Sequence, residues 1–183
     1  MKSSFFFAAL FIAWALPSMV FAQTVPERPE PADGFDDSYC VAVIPEPIVI
    51  SSPQDYSPPK VEWLSSTMIR ETIEFSPNIT VEIEHGGCVH FSLIFRFIFQ
   101  GEPMGNLTHT EWLERANSFL ISIKIQSFDH YQTTIQNEIA KMEPDFWLEQ
   151  GITITPGYSH IYFFVKELER DVTSVEFWYD IAL

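Results

Sequence analysis

The chain contains none of the short sequences that mark the common enzyme classes. It has no Gly-x-Ser-x-Gly elbow, no phosphate-binding loop, no dinucleotide fingerprint and no His-Glu-x-x-His zinc motif. These absences remove the usual hydrolase and transferase interpretations. We therefore assign no catalytic residue, no metal ligand and no cofactor, and we favour a binding protein over an enzyme.

Basic residues are scarce. The sequence has 10 lysines and arginines against 25 aspartates and glutamates, which gives a formal net charge of -15. Such a surface repels the phosphates of nucleic acids, so nucleic-acid binding is excluded. The same charge favours a protein partner whose own surface is cationic.

Long hydrophobic runs are absent after the first 22 residues, so the remainder of the chain has no further membrane span. Within residues 1–22, Lys2 precedes an apolar stretch, and Val20-Phe21-Ala22 forms a small-x-small cleavage site. This pattern predicts a secretory signal peptide and a periplasmic or extracellular location. The alternative is that the segment is retained as a membrane anchor.

Only two cysteines are present, Cys40 and Cys88. An isolated pair in an exported protein is typical of one disulfide bond, and no C-x-x-C spacing points to a metal or redox site. We therefore expect a Cys40–Cys88 disulfide.

Proline is concentrated near the N-terminus, with eight of the thirteen prolines in residues 23–60. Proline cannot donate to a sheet ladder or continue a helix, so this region is interpreted as an extended tether. Residues 40–44 are apolar and are expected to form a short edge strand within it. Residues 61–183 are expected to form a single domain.

Within that domain, alternation of apolar and polar residues predicts strands over 69–75, 79–84, 88–100, 151–155, 161–166 and 172–181. Two helical patterns lie between them, one opening at a Thr108–Glu111 capping box and one over 128–142. The fold class predicted from this order is α+β: an antiparallel sheet with two helices packed on one face, closed by one disulfide.

Aromatic residues provide the clearest candidates for a binding surface. Trp147 follows a phenylalanine, and Trp178 and Tyr179 lie in a Phe-Trp-Tyr run. Neighbours on a strand point to opposite faces, so one face would be core and the other a platform for stacking or protein contact. Trp147, Trp178 and Tyr179 are accordingly the candidate binding residues.

Two alternatives use polar residues of the central strands. Glu82 and Glu84 share one face of a strand at a spacing that approaches that of glycosidase carboxylates, and His90 could assist them. Glu84, His85 and His90 could together supply three zinc ligands. For both sets, a solvated strand face and ordinary histidines are the favoured interpretation.

One region resembles the C-terminal domain of TonB-type energy transducers. The residues that carry the resemblance are Gly87-Cys88-Val89-His90-Phe91, Gly101-Glu102-Pro103, Glu114-Arg115-Ala116 and the terminal run 175–181. The resemblance implies a periplasmic protein-contact module without catalysis.

The sequence thus favours an exported, non-enzymatic protein-binding domain, acting as an inhibitor or immunity-type partner of a cationic protein. A TonB-like interaction module and a glycan-binding or glycan-hydrolysing protein are the alternatives.

Overall fold

The structure is a computed structural model that describes residues 25–31, 44–142, 152–155 and 159–182. Several predictions lie outside the described residues: the signal peptide, nearly all of the edge strand at 40–44, Cys40 and Trp147.

One antiparallel sheet organises the described chain. Its seven strands are ordered β1-β2-β3-β4-β7-β6-β5. In chain order they are β1 (Lys60–Ser65), β2 (Met68–Ser76), β3 (Ile79–Gly86), β4 (His90–Gln100), β5 (Ile152–Thr155), β6 (Ser159–Glu169) and β7 (Val172–Ala182). The last two strands form a long hairpin that returns the chain to the middle of the sheet beside β4.

Strand β4 lies at the centre because it is apolar on one face along its whole length. Leu93, Phe95, Phe97 and Phe99 are all fully buried. Residues directly opposite each other in antiparallel strands share a face. Phe95 lies opposite Ile83 of β3 and Phe177 of β7, so the apolar face continues across both neighbours.

Two helices cover this apolar face, α1 (His109–Ser122) and α2 (Asp129–Ile139). Helix α1 begins with the predicted capping box, in which Thr108 and Glu111 each accept from the other's backbone N–H. The ring of Trp112 in α1 packs against that of Phe99, with 5.1 Å between ring centroids. The ring of Tyr131 in α2 packs against that of Tyr179, with 4.7 Å between centroids. Both helices therefore lie on one face of the sheet, and the α+β class is confirmed.

The predicted fold class also included a Cys40–Cys88 disulfide, and this part of the prediction requires correction. Among the described residues no disulfide bond is present, since they include Cys88 but not Cys40.

Part of the predicted tether packs onto the domain. Ile48, Val49 and Tyr56 are buried in the core. The backbone of this segment runs beside the link between the helices: Val49 forms a β-bridge with Ile125, and the Ile50 N–H donates to Lys124 O at 2.7 Å.

The turn between β3 and β4 requires glycine. Gly86 and Gly87 have φ angles of 131° and 133°. A Cβ at Gly87 would lie 1.8 Å from the carbonyl oxygen of His90, which no adjustment of a side chain could relieve. Strand β3 ends at this turn, directly after His85.

Candidate functional site

No described helix packs on the second face of the sheet, which we call the open face. It is formed by the residues that alternate with the core residues along each strand. Its charged members are Lys60, Glu62, Arg70, Glu74, Glu82, Glu84, Arg96, Lys166, Glu176 and Asp180. Six carboxylates thus share this face with four basic side chains.

A row of ion pairs crosses the open face from β1 to β3. Arg70 of β2 donates to Glu62 at 2.9 Å and to Glu84 at 2.6 Å. The first partner lies on β1 and the second on β3. Burial disfavours the charge of Arg70, but the hydrogen bond that Arg70 donates to Glu84 and the charge of Glu82 outweigh it and raise the pKa of the guanidinium.

Arg96 extends the row across the centre of the sheet. Its guanidinium lies 2.7 Å from Glu82, 3.0 Å from Glu84 and 3.1 Å from Glu176. Burial lowers the pKa of Arg96, yet its carboxylate partners more than compensate and raise it overall. Arg96 therefore remains charged and ties β3, β4 and β7 together on this face.

Glu176 is the hub of the row on β7. It is 2% exposed and accepts from Arg96, from Lys166 Nζ at 2.9 Å and from Trp178 Nε1 at 2.9 Å. Burial alone would raise the pKa of Glu176, but these hydrogen bonds outweigh that effect and lower it. The carboxylate is held ionised and orients the Trp178 ring along the strand.

An aromatic row stands next to this hub on β6 and β7. Tyr162, Phe164 and Trp178 are partly exposed on the open face. The Phe164 ring lies 5.3 Å from Trp178 and 6.4 Å from Tyr162, in both cases between ring centroids. Lys166 Nζ stands 5.1 Å from the centroid of Phe164. The three rings therefore lie beside the positive charge of Lys166 and the buried negative charge of Glu176.

The predicted binding residues take different positions. Trp178 lies on the open face within the aromatic row, whereas Tyr179 lies on the helix-covered face, is 6% exposed and packs against Tyr131. Sequence reasoning missed Tyr162, Phe164 and Lys166. The signal was available, because His160, Tyr162, Phe164 and Lys166 alternate with apolar residues along β6.

The two carboxylates considered above for glycoside hydrolysis take part in the row of ion pairs. Glu82 and Glu84 both lie on the open face and both accept from Arg96. The zinc alternative is also not assembled, because Glu84 and His85 are consecutive strand residues and lie on opposite faces. In the part of the chain that the structure describes, no group of three or more His, Cys, Asp or Glu residues is arranged to hold a metal ion.

No helix among the described residues has the length and apolar character needed to cross a membrane.

The open face is therefore the candidate functional site. Its accessible part consists of the partly exposed rings of Tyr162, Phe164 and Trp178 together with the exposed Lys166, and Glu176 accepts hydrogen bonds from Trp178 and Lys166. Comparison with protein-family models, with curated proteins and with solved structures finds no match for this chain.

Proposed function

We propose that this protein is an exported binding domain that holds a cationic protein partner on the open face of its sheet. The observation that carries the proposal is the aromatic row of Tyr162, Phe164 and Trp178, which lies partly exposed on a face without a described helix. Aromatic side chains with neighbouring charges are the composition from which binding hot spots are built.

The charge of the molecule supports a cationic partner. The chain as a whole carries a net charge of -15, and carboxylates outnumber basic side chains on the open face. A field of one sign accelerates the approach of a partner of opposite sign and makes the association sensitive to salt. The arginines of the ion-pair row keep the face ordered, so little side-chain entropy is lost on binding.

The export part of the proposal rests on residues 1–22. A cleaved signal peptide leaves Gln23 as the mature N-terminus of a free binding protein, whereas a retained segment leaves the domain anchored. N-terminal sequencing of the protein recovered from both the soluble and the membrane fraction of an expressing culture distinguishes the two. The TonB-like interaction module stays a prediction that corresponds to the anchored form.

The binding test uses a panel of basic probe proteins, with an acidic protein as the negative probe, in titrations at low and high salt. We expect salt-sensitive binding to a basic probe. Trp178→Ala should weaken it at least tenfold, because central aromatic anchors contribute about 2 kcal/mol or more. Phe164→Ala should act in the same direction.

The matched control is Ile121→Ala. Ile121 is 64% exposed but lies on α1, on the other side of the molecule. Equal binding by the Trp178 and Ile121 variants contradicts the assignment of the surface. The absence of binding to every basic probe contradicts the proposed partner.

A glycan ligand is the second candidate, because partly exposed rings such as Phe164 and Trp178 also suit sugar stacking. It predicts a change in tryptophan fluorescence on titration with neutral oligosaccharides, independent of salt and lost in Trp178→Phe. No change across such a panel removes this candidate.

A further inference from the structure

The ammonium group of Lys166 occupies a position on the open face that is bordered by one carboxylate and two aromatic rings. Its Nζ atom donates to Glu176 Oε2 at 2.9 Å. The same atom lies 5.1 Å from the ring centroid of Phe164 and 5.9 Å from that of Trp178. Both distances fall within the range of cation–π attraction. These three groups together form a site for an ammonium ion, which the chain fills with its own lysine.

The carboxylate and the rings are held by contacts that do not involve Lys166. Phe164 and Trp178 pack edge to face, with 5.3 Å between ring centroids and an interplanar angle of 63°. Trp178 Nε1 donates to Glu176 Oε2 at 2.9 Å, and Arg96 Nε donates to Glu176 Oε1 at 3.1 Å. Lys166 can therefore leave the site without removing the contacts that order it.

Lys166 reaches this site from the solvent side. Its side chain is 44% exposed, whereas that of Glu176 is 2% exposed. Lysine carries its charge on a flexible four-carbon stem, so the ammonium group can move away from the carboxylate into solvent. An ammonium group of another molecule can then approach Glu176 along the path that the end of Lys166 occupies.

The row of ion pairs that includes Glu176 has more carboxylates than guanidinium groups. The carboxylates are those of Glu62, Glu82, Glu84 and Glu176, and the guanidinium groups are those of Arg70 and Arg96. Burial by itself raises the pKa of Glu176, and the hydrogen bond from Lys166 is the largest of the contributions that lower it. The carboxylate thus favours a positive charge at the position of the Lys166 Nζ atom.

The hydrogen bonds of Glu176 distinguish between the two cationic side chains. Oε1 accepts from Arg96 and from the Ser174 hydroxyl, whereas Oε2 accepts from Trp178 and Lys166. A guanidinium binds a carboxylate best through two parallel hydrogen bonds, one to each oxygen. Since Oε1 is already occupied, a group that replaces Lys166 gains a single hydrogen bond, to Oε2. An ammonium group, which is a compact point charge, suits this geometry better than a guanidinium does.

We propose that Lys166 occupies a recognition site for a lysine side chain of the partner protein, and that the partner's ammonium group displaces it on binding. The inference rests on the function proposed above and specifies the cationic partner as one that presents a lysine. The exchange replaces one ammonium group with another, so the hydrogen bond to Glu176 and the contacts with the two rings are kept. A neutral side chain that displaced Lys166 would leave the carboxylate without its ammonium group. The site therefore selects for a lysine on the partner.

Lys166→Met tests whether the native lysine competes with a ligand, because it keeps an apolar stem and vacates the position of Nζ. The probe is Nα-acetyl-lysine methylamide, titrated into the full chain and followed by NMR at the Trp178 indole N–H. Loss of that signal in Trp178→Phe assigns it. We expect the probe to bind Lys166→Met roughly tenfold more tightly than it binds the unmodified chain. The same probe acetylated on Nε, which carries no charge, should bind neither.

Lys60→Met is the matched control. Lys60 also lies on the open face and pairs with a carboxylate, that of Glu74, at 2.9 Å, but both members of this pair are exposed. The two variants remove the same charge, and Lys60→Met should leave probe binding unchanged. An equal gain in the two variants assigns the effect to net charge and refutes the proposal. An affinity that is unchanged in Lys166→Met, or a failure of the lysine probe to bind that variant, also refutes it.

A second test uses the unmodified chain, so its outcome does not depend on the folding of a variant. A basic probe protein that binds the open face is treated with O-methylisourea, which converts lysine ammonium groups into guanidinium groups and keeps their charge. We expect the treated probe protein to bind roughly tenfold more weakly than the untreated one. Equal binding of the two overturns the lysine site and leaves the function proposed for the open face intact. Failure of every basic probe protein to bind contradicts that function, and the inference with it.

Discussion

Replacing the buried hub of the ion-pair row should produce a stability change that depends on pH. In Glu176→Gln the shape of the side chain is kept, but the negative charge is removed from the group that accepts hydrogen bonds from Arg96, Lys166 and Trp178. Hydrogen bonds to a buried charge contribute about 1.5–3 kcal/mol, and full removal of one member of a buried pair costs about 3–5 kcal/mol.

The structure places the expected loss near the lower end of these ranges. Arg96 retains Glu82 and Glu84 as partners, and the glutamine oxygen still accepts one hydrogen bond. We therefore expect the free energy of unfolding at neutral pH to fall by about 2 kcal/mol. For a domain of this size, that corresponds to a decrease in melting temperature of about 4–8 °C.

The pH dependence follows from the lowered pKa of Glu176, whose ordinary value is 4.5. A carboxyl group with a lowered folded-state pKa binds fewer protons in the folded state than in the unfolded state. Its stabilisation is therefore complete above the unfolded pKa and is lost as the pH falls through the folded pKa. The difference between the wild-type protein and Glu176→Gln should consequently shrink below pH 4.5.

Urea unfolding followed by tryptophan fluorescence, at a series of pH values from neutral to acid, measures this difference. Glu167→Gln is the matched control, because it removes the same charge from an exposed position on β6 and should change stability by less than about 0.5 kcal/mol. A difference for Glu176→Gln that stays constant with pH would refute the reasoning. A loss no larger than that of the control would do the same.

Two further predictions concern local structure. Thr108→Ala removes the side-chain half of the capping box, in which Thr108 Oγ1 accepts from the Glu111 N–H, and leaves the backbone N–H of residue 108 free to donate to Glu111; it should lower stability by about 1 kcal/mol in urea unfolding, with Thr108→Ser restoring most of it, and no loss would show that the cap is dispensable. Gly87→Ala should lower the melting temperature because of its positive φ angle and the approach of its Cβ to His90 O, and should do so by more than Gly105→Ala, where a Cβ meets no atom within 4 Å. Similar melting temperatures for the two glycine variants would contradict the strain assigned to the turn.

The element pattern could be predicted where local sequence and tertiary environment agree. The strict alternation of β4 predicted a long central strand, and its bounds are His90–Gln100. The capping box predicted where α1 begins. Strand β1 was not predicted, because it is a short edge strand whose residues pair on one side only and are mostly exposed or partly exposed.

The candidate site could be predicted only in part. Alternation placed Trp178 and Tyr179 on opposite faces, but it could not show which face the helices would cover. The sequence did not predict Phe164 and Lys166 as site residues, because their proximity to Trp178 depends on the pairing of β6 with β7. The partnership of Glu71 with His85 escaped notice for the same reason, because it joins two strands whose register brings the residues together.

The sequence by itself determined the properties that depend on neighbouring residues and on composition: the strand and helix periods, the helix cap and the acidic charge. The export signal at residues 1–22 stays a prediction. Tertiary structure alone decided which sheet face has no described helix on it, how Arg96 links three strands, and how the buried Glu71 carboxylate comes to lie beside His85. The physical reason is that these features arise from contacts between residues far apart in the chain. Such contacts are set by sheet register and helix packing, and no local period records them.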